Sequence, residues 1–139
     1  MDMTATTYSY ATVTPMKGNM IKTILEDVAD NLFNADPYYQ QGGDMVRVGG
    51  LKYTCRPMAS MGQRIHNMQL NDKPIDPDKT YKVAGWAPVS EEASKQNLKP
   101  IWEVAEQWLA ATGGKVSARK ANVPVLEGVL PNPGYMRSE

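Results

Sequence analysis

The sequence predicts an α+β fold: a single mixed domain in which a twisted sheet carries a few packed helices. Short segments rich in tyrosine, threonine and valine are bounded by proline, glycine and asparagine, as strands are. Two other segments carry apolar residues at the spacing of a helix with one buried face. At 139 residues the chain has the usual size of one domain, and a chain of about 150 residues buries roughly 70% of its unfolded surface, enough for a real core. The predicted domain covers residues 1–130, and 131–139 form a tail.

Residues 8–13 carry the composition of a first strand, which Pro15 and Gly18 then break. Asn19 can cap the helix that follows. Ile21, Ile24, Leu25, Val28 and Leu32 form its buried stripe, and Glu26, Asp27 and Asp30 fall mainly toward water. Acidic neighbours three or four apart on a helix with no histidine make a solvated face rather than a metal site.

A glycine-rich stretch comes next, Tyr38-Tyr39-Gln40-Gln41-Gly42-Gly43-Asp44-Met45-Val46-Arg47-Val48-Gly49-Gly50. It reads as a ligand-facing loop entering a strand. Glycine pairs serve where the backbone needs positive φ or where another group approaches the main chain closely. Arg47 is the leading candidate for binding, because a guanidinium stays charged and its planar fork grips a sulfonate, sulfate, phosphate or carboxylate at two points. The competing structural reading solvates Arg47 on its strand or pairs it with Asp44.

Beyond the loop, residues 51–55 suggest a strand, 57–62 a turn and 65–70 another strand, with Asn71-Asp72 turning the chain back. Residues 73–79 form a two-proline turn in which aspartates bond nearby amides. Asp72, Asp76 and Asp78 lack the glycine and terminal glutamate of a calcium loop. Residues 80–84 read as a central strand, and Trp86 follows where the strand ends and a loop begins, a place that favours site residues. A helix over 100–111 has an apolar stripe of Ile101, Val104, Ala105, Trp108 and Leu109, places Trp102 on another face, and ends at Gly113-Gly114. Residues 115–130 alternate weakly and contain Pro124, which suggests an edge strand.

Composition narrows the function. The 15 lysines and arginines balance 15 aspartates and glutamates, so the broad positive field that nucleic acid or an anionic membrane surface calls for is missing. No run of about 18 apolar residues predicts a membrane span. The N-terminus lacks the basic flank and apolar stretch of an export signal, so the chain either stays inside the cell or begins downstream of a natural start. Cys55 is the only cysteine and His66 the only histidine. Hydrolytic metal centres need several convergent histidines and carboxylates, and His66 reads as a surface strand residue. Ser60, Ser90, Ser94 and Ser117 lack the surroundings of a nucleophile, and Cys55 has no evident histidine partner. Residue by residue, the chain reads as a binding domain or part of an enzyme.

Three segments carry a family resemblance: Ile24-Leu25-Glu26-Asp27-Val28-Ala29-Asp30-Asn31, the block from Tyr38 to Gly50, and Tyr81-Lys82-Val83-Ala84-Gly85-Trp86-Ala87-Pro88-Val89. Together they resemble the C-terminal domain of the SoxB sulfur-oxidation thiosulfohydrolases. Asp76-Pro77-Asp78-Lys79-Thr80-Tyr81 also resembles the wider 5'-nucleotidase C-terminal superfamily. The resemblance implies that an N-terminal metallophosphoesterase domain carries two manganese ions, while this domain supplies substrate contacts and is inactive alone. It implies a periplasmic enzyme that releases sulfate from a cysteine S-thiosulfonate on the SoxYZ carrier. Arg47, Asp44, Gly43, Tyr39 and Trp86 become the substrate-binding candidates, with no catalytic or metal-binding residue on this chain.

Nucleotidases of the superfamily place one aromatic where this chain has Asp44-Met45-Val46-Arg47, and another in a Gly-Gly-Asp-Gly-Phe block where it has Trp86-Ala87-Pro88-Val89-Ser90. Without them a base loses stacking worth about 1 to 3 kcal/mol per face. A slim channel for a peptide arm ending in a charged sulfur group fits better, with Tyr38, Tyr39 and Trp86 as its walls. Two alternatives are the substrate domain of a nucleotidase or other phosphoester hydrolase, and a free-standing binding module.

Overall fold

The computed structural model describes residues 10–85, 98–116 and 122–130. In order they form β1 (Thr12–Lys17), α1 (Gly18–Phe33), a 3-10 turn (Pro37–Tyr39), β2 (Leu51–Cys55), β3 (Ile65–Leu70), β4 (Lys73–Pro74), β5 (Thr80–Gly85), α2 (Ile101–Ala111) and β6 (Val125–Leu126). Strands and helices mix as the α+β reading expects. The chain divides into two compact units, one of residues 17–79 and 121–139, the other of 1–16 and 80–120.

The larger unit is built on a four-stranded sheet in the order β4-β3-β2-β6. β2 and β3 run antiparallel, with Leu51 opposite Leu70 and Cys55 opposite Ile65. Their bounds are those the sequence predicts. The register slips between Lys52 and Thr54, whose partners are Gln69 and His66. The extra residue lies on β3, where Asn67 takes a φ of 51°; an inserted residue in the left-handed region is how an antiparallel pair absorbs a bulge. The bulge lets Ile65 and Met68, three positions apart, both pack against the core, which an unbroken period of two forbids. Asn71 and Asp72, at φ of 52° and 61°, turn the chain from β3 into β4, as the paired positive angles of a tight hairpin require.

Leu25 and Ala29 of α1 pack with Leu51, Tyr53, Cys55 and Ile65 of the sheet to make the core, and Ile21, Phe33, Met45, Val48, Met68 and Ile75 lie half-buried around it. The start of α1 differs from expectation. Lys17, not Asn19, occupies the cap position, and no side chain caps the helix. Its first amides are satisfied by backbone instead: Gly18 donates to the Lys79 carbonyl at 3.1 Å and Asn19 to that of Pro77 at 3.0 Å. This close approach selects Gly18, since a Cβ there would run into the Asp76 carbonyl and lie 2.7 Å from Ile75 Cγ2.

In the smaller unit, β1 and β5 form a two-stranded sheet. β1 runs past Pro15 to Lys17 rather than breaking there. Proline is tolerated because it donates nothing to a ladder and sits on a strand that has one neighbour among the described residues. β5, read as central, pairs among the described residues with β1 alone. The Thr12 hydroxyl donates to the Gly85 carbonyl at 3.2 Å.

α2 begins one residue later than predicted, with Pro100 at its cap, and its end is the predicted glycine pair. Gly114 donates to the Leu109 carbonyl at 2.8 Å and Gly113 to that of Ala110 at 3.1 Å, the two bonds of a Schellman stop. Its buried face is rotated from the predicted stripe. Ile101, Trp102, Ala105 and Leu109 are half-buried, while Val104 and Trp108 are exposed. Trp102, not Trp108, faces inward.

Candidate functional site

The glycine-rich loop is anchored at both ends and open in the middle. At its start the Asn34 side chain donates to Asp30 Oδ2 at 2.8 Å and accepts from the Asp36 amide at 3.0 Å. Asp36 caps the 3-10 turn by accepting from the Tyr38 amide at 3.0 Å. Gln40 Nε2 donates to the Asn34 carbonyl at 2.7 Å, and the Gly42 amide to that of Asn31 at 3.1 Å. These contacts tie the turn back onto α1 and leave its rings in water: Tyr38 is 95% exposed and Tyr39 67%.

Gly42 and Gly43 take φ of 78° and 99°, and a Cβ on either would meet nothing within 4 Å. Backbone angle, not crowding, selects glycine here. Met45 and Val48 then pin the loop to the core, while Asp44, Val46 and Arg47 point outward. The expected strand around Arg47 is instead loop as far as Gly50. Tyr39, Gly43, Asp44 and Arg47 share this loop, but no side-chain hydrogen bond or ion pair joins them. Trp86 lies outside the described residues.

The polar groups with the densest bonding lie elsewhere. Glu26, expected on the wet face, is 4% exposed. Its Oε2 accepts from the amides of Gly62 at 2.8 Å and Arg64 at 3.2 Å, and Oε1 from that of Ile65 at 2.7 Å. Arg64 is buried to the same degree and donates to Asp30 Oδ1 at 2.6 Å, the Pro57 carbonyl at 3.2 Å and the Phe33 carbonyl at 3.1 Å. The Arg64 bond, with help from Asn34, holds the Asp30 carboxyl below its ordinary range. Sequence reasoning misses this network because a carboxylate beside an apolar stripe looks solvated until a distant loop offers it amides. The one local signal is Lys22, one turn before Glu26 and 3.6 Å from it.

Cys55 is buried; burial and then the Glu26 charge push its thiol up, so it stays protonated and is a poor nucleophile. His66, expected at the surface, is half-buried on β3. Among the described residues no three of His, Cys, Asp and Glu converge as a metal site, so the donors present do not fit a two-metal centre. No helix among them is long and apolar enough to cross a membrane.

Comparisons with known proteins bear on the family and fold of the chain. Residues 6–94 match the profile of the 5'-nucleotidase C-terminal domain. The sulfate thiohydrolase SoxB of Thermus thermophilus, solved with glycerol, is 33% identical over 89% of this chain, with a TM-score of 0.70. A structure presented as a 5'-nucleotidase of Staphylococcus aureus with alpha-ketoglutarate is 14% identical over 86% of the chain, with a TM-score of 0.56, a likeness of fold. The chain spans 23% of the length of the first structure and 28% of the second. A search of curated proteins returned no match. With a profile covering well over half its length, the chain belongs to the 5'-nucleotidase C-terminal domain family.

Proposed function

We propose that the chain, over residues 1–130, is the substrate-recognition domain of a SoxB-like hydrolase that removes sulfate from a cysteine S-thiosulfonate on the SoxYZ carrier. The observation that carries this reading is the identity to SoxB, 33% over 89% of the chain, joined to a loop whose one guanidinium has no side-chain partner among the described residues. In this reading an N-terminal metallophosphoesterase domain holds two manganese ions in the periplasm, and no step of the metal chemistry falls to this chain. Arg47 grips the terminal sulfonate by two-point hydrogen bonding. The exposed Tyr39 walls the path of the carrier arm, and Gly42-Gly43 let that arm lie close to the backbone. Asp44, exposed on the same loop, is a further proposed substrate contact.

The 5'-nucleotidase profile supports a second reading, the substrate domain of a phosphoester hydrolase. The full-length parent, assayed with manganese against carrier-bound thiosulfonate and a panel of nucleoside monophosphates, separates the two. Sulfate release without phosphate release supports the first; the reverse supports the second. The isolated chain should turn over neither, and activity from it alone would overturn the division of labour.

A further inference from the structure

We infer that His66 and Glu127 form a pH-sensitive latch that sets how tightly β6 and the segment around it are held on the sheet. β6 is only two residues long and pairs in parallel with β2, Val125 beside Thr54 and Leu126 beside Cys55. Beyond that pairing, the segment is held through Glu127. Its amide donates to the Cys55 carbonyl at 3.0 Å, and its Oε2 accepts from Arg56 Nε at 2.7 Å. The same oxygen lies 3.3 Å from His66 Nε2.

The imidazole is unusually placed. Both ring nitrogens are shielded from water and neither makes a hydrogen bond, yet the side chain keeps 25% of its surface exposed, so a carbon edge meets solvent. A neutral ring leaves a shielded lone pair without a donor in either tautomer. The Nε2–H tautomer already faces Glu127 with a donor; a charged ring keeps that donor, leaves Nδ1–H without an acceptor, and turns the contact into an ion pair beside that of Arg56. The hydrogen bond from Arg56 already keeps the Glu127 carboxyl below its ordinary range, so Glu127 stays anionic wherever imidazole titrates. Arg56 at the end of β2 and Glu127 after β6 are the charged groups in contact here among the described residues.

The extra hold on β6 is present while the ring is charged and lost when it gives up its proton. β6 carries exposed Val125 and Leu126 and is followed by exposed Val129 and Leu130. A looser latch frees an apolar segment, and a tighter one holds it in register.

Because His66 is the only histidine in the chain, its Hε1 resonance reports the switch without ambiguity. The test follows that resonance together with hydrogen exchange at the Glu127 amide, corrected for intrinsic rate, between about pH 5.5 and pH 8. Protection should rise about threefold toward acid, the scale of one partly exposed ion pair, in step with the His66 titration. In His66→Gln the dependence should vanish while the fold persists. Protection that is flat in the native chain, or that keeps its slope in His66→Gln, overturns the latch. Should His66→Gln fail to fold, the native chain still decides: an amide transition out of step with Hε1 refutes the proposal.

Discussion

The clamp of Glu26, Arg64 and Asp30 and the loop from Tyr38 to Gly50 use polar groups in opposite ways. In the clamp, a carboxylate and a guanidinium are withdrawn from water, and six hydrogen bonds occupy them. In the loop, backbone and turn side chains do the anchoring, while Asp44 and Arg47 are left in water with no side-chain bond among the described residues. A buried ionic group must be satisfied internally or the fold suffers; an exposed, unspent guanidinium on a pinned loop contributes little to the fold and is free for a ligand. Buried charge here marks architecture, while exposed charge on a pinned loop is left available, as the recognition role proposed for Arg47 requires.

The largest test of that contrast is Arg64→Ala. It strands the Asp30 carboxylate and two backbone carbonyls, and should cost about 3 kcal/mol or more of unfolding free energy in urea titration. A change below about 0.5 kcal/mol, the range of ordinary surface substitutions, would mean the clamp is not what joins the 56–65 loop to α1. Next is Gly18→Ala, where the added methyl meets backbone that cannot swing aside, with an expected loss of about 1 to 3 kcal/mol. A stable variant would show that the start of α1 separates from the 75–79 turn at little cost.

Acid sharpens the contrast further. Arg64 lowers the Asp30 carboxyl in the folded state, so this contact contributes stability above the unfolded carboxylate value of about 3.9 and loses it as pH falls through the lower folded value. Unfolding free energy should therefore drop more steeply below about pH 4 in the native chain than in Asp30→Asn. Parallel curves would remove the Asp30 pairing from the account. The smallest expected effect on stability is Arg47→Ala, within about 0.5 kcal/mol of the native chain.

Legibility in the sequence follows the same division. β2 and β3 are readable to the residue because turn-formers bound short strand-like runs, and the stop of α2 is readable because Gly113-Gly114 is a local signal. What depends on distant partners is not. The bulge at Asn67 changes which residues of β3 face the core without changing its composition. Glu26 looks solvated until the amides of residues 62–65 close on it, and the α2 stripe could not say whether Trp102 or Trp108 is inside. Of the candidate site, the glycine pairs marked the loop; that Asp44 and Arg47 face outward while Met45 and Val48 pin it to the core was not legible, since the segment reads as entering a strand whose register would decide direction, and it is in fact irregular with no period to read.

The most direct test of the account combines both measurements on Arg47→Ala in the full-length parent: urea stability, and sulfate release from carrier-bound thiosulfonate with manganese. The account predicts unchanged stability with turnover reduced tenfold or more, about 1.4 kcal/mol of lost transition-state stabilisation. Native turnover in Arg47→Ala would contradict the assignment of recognition to the open loop.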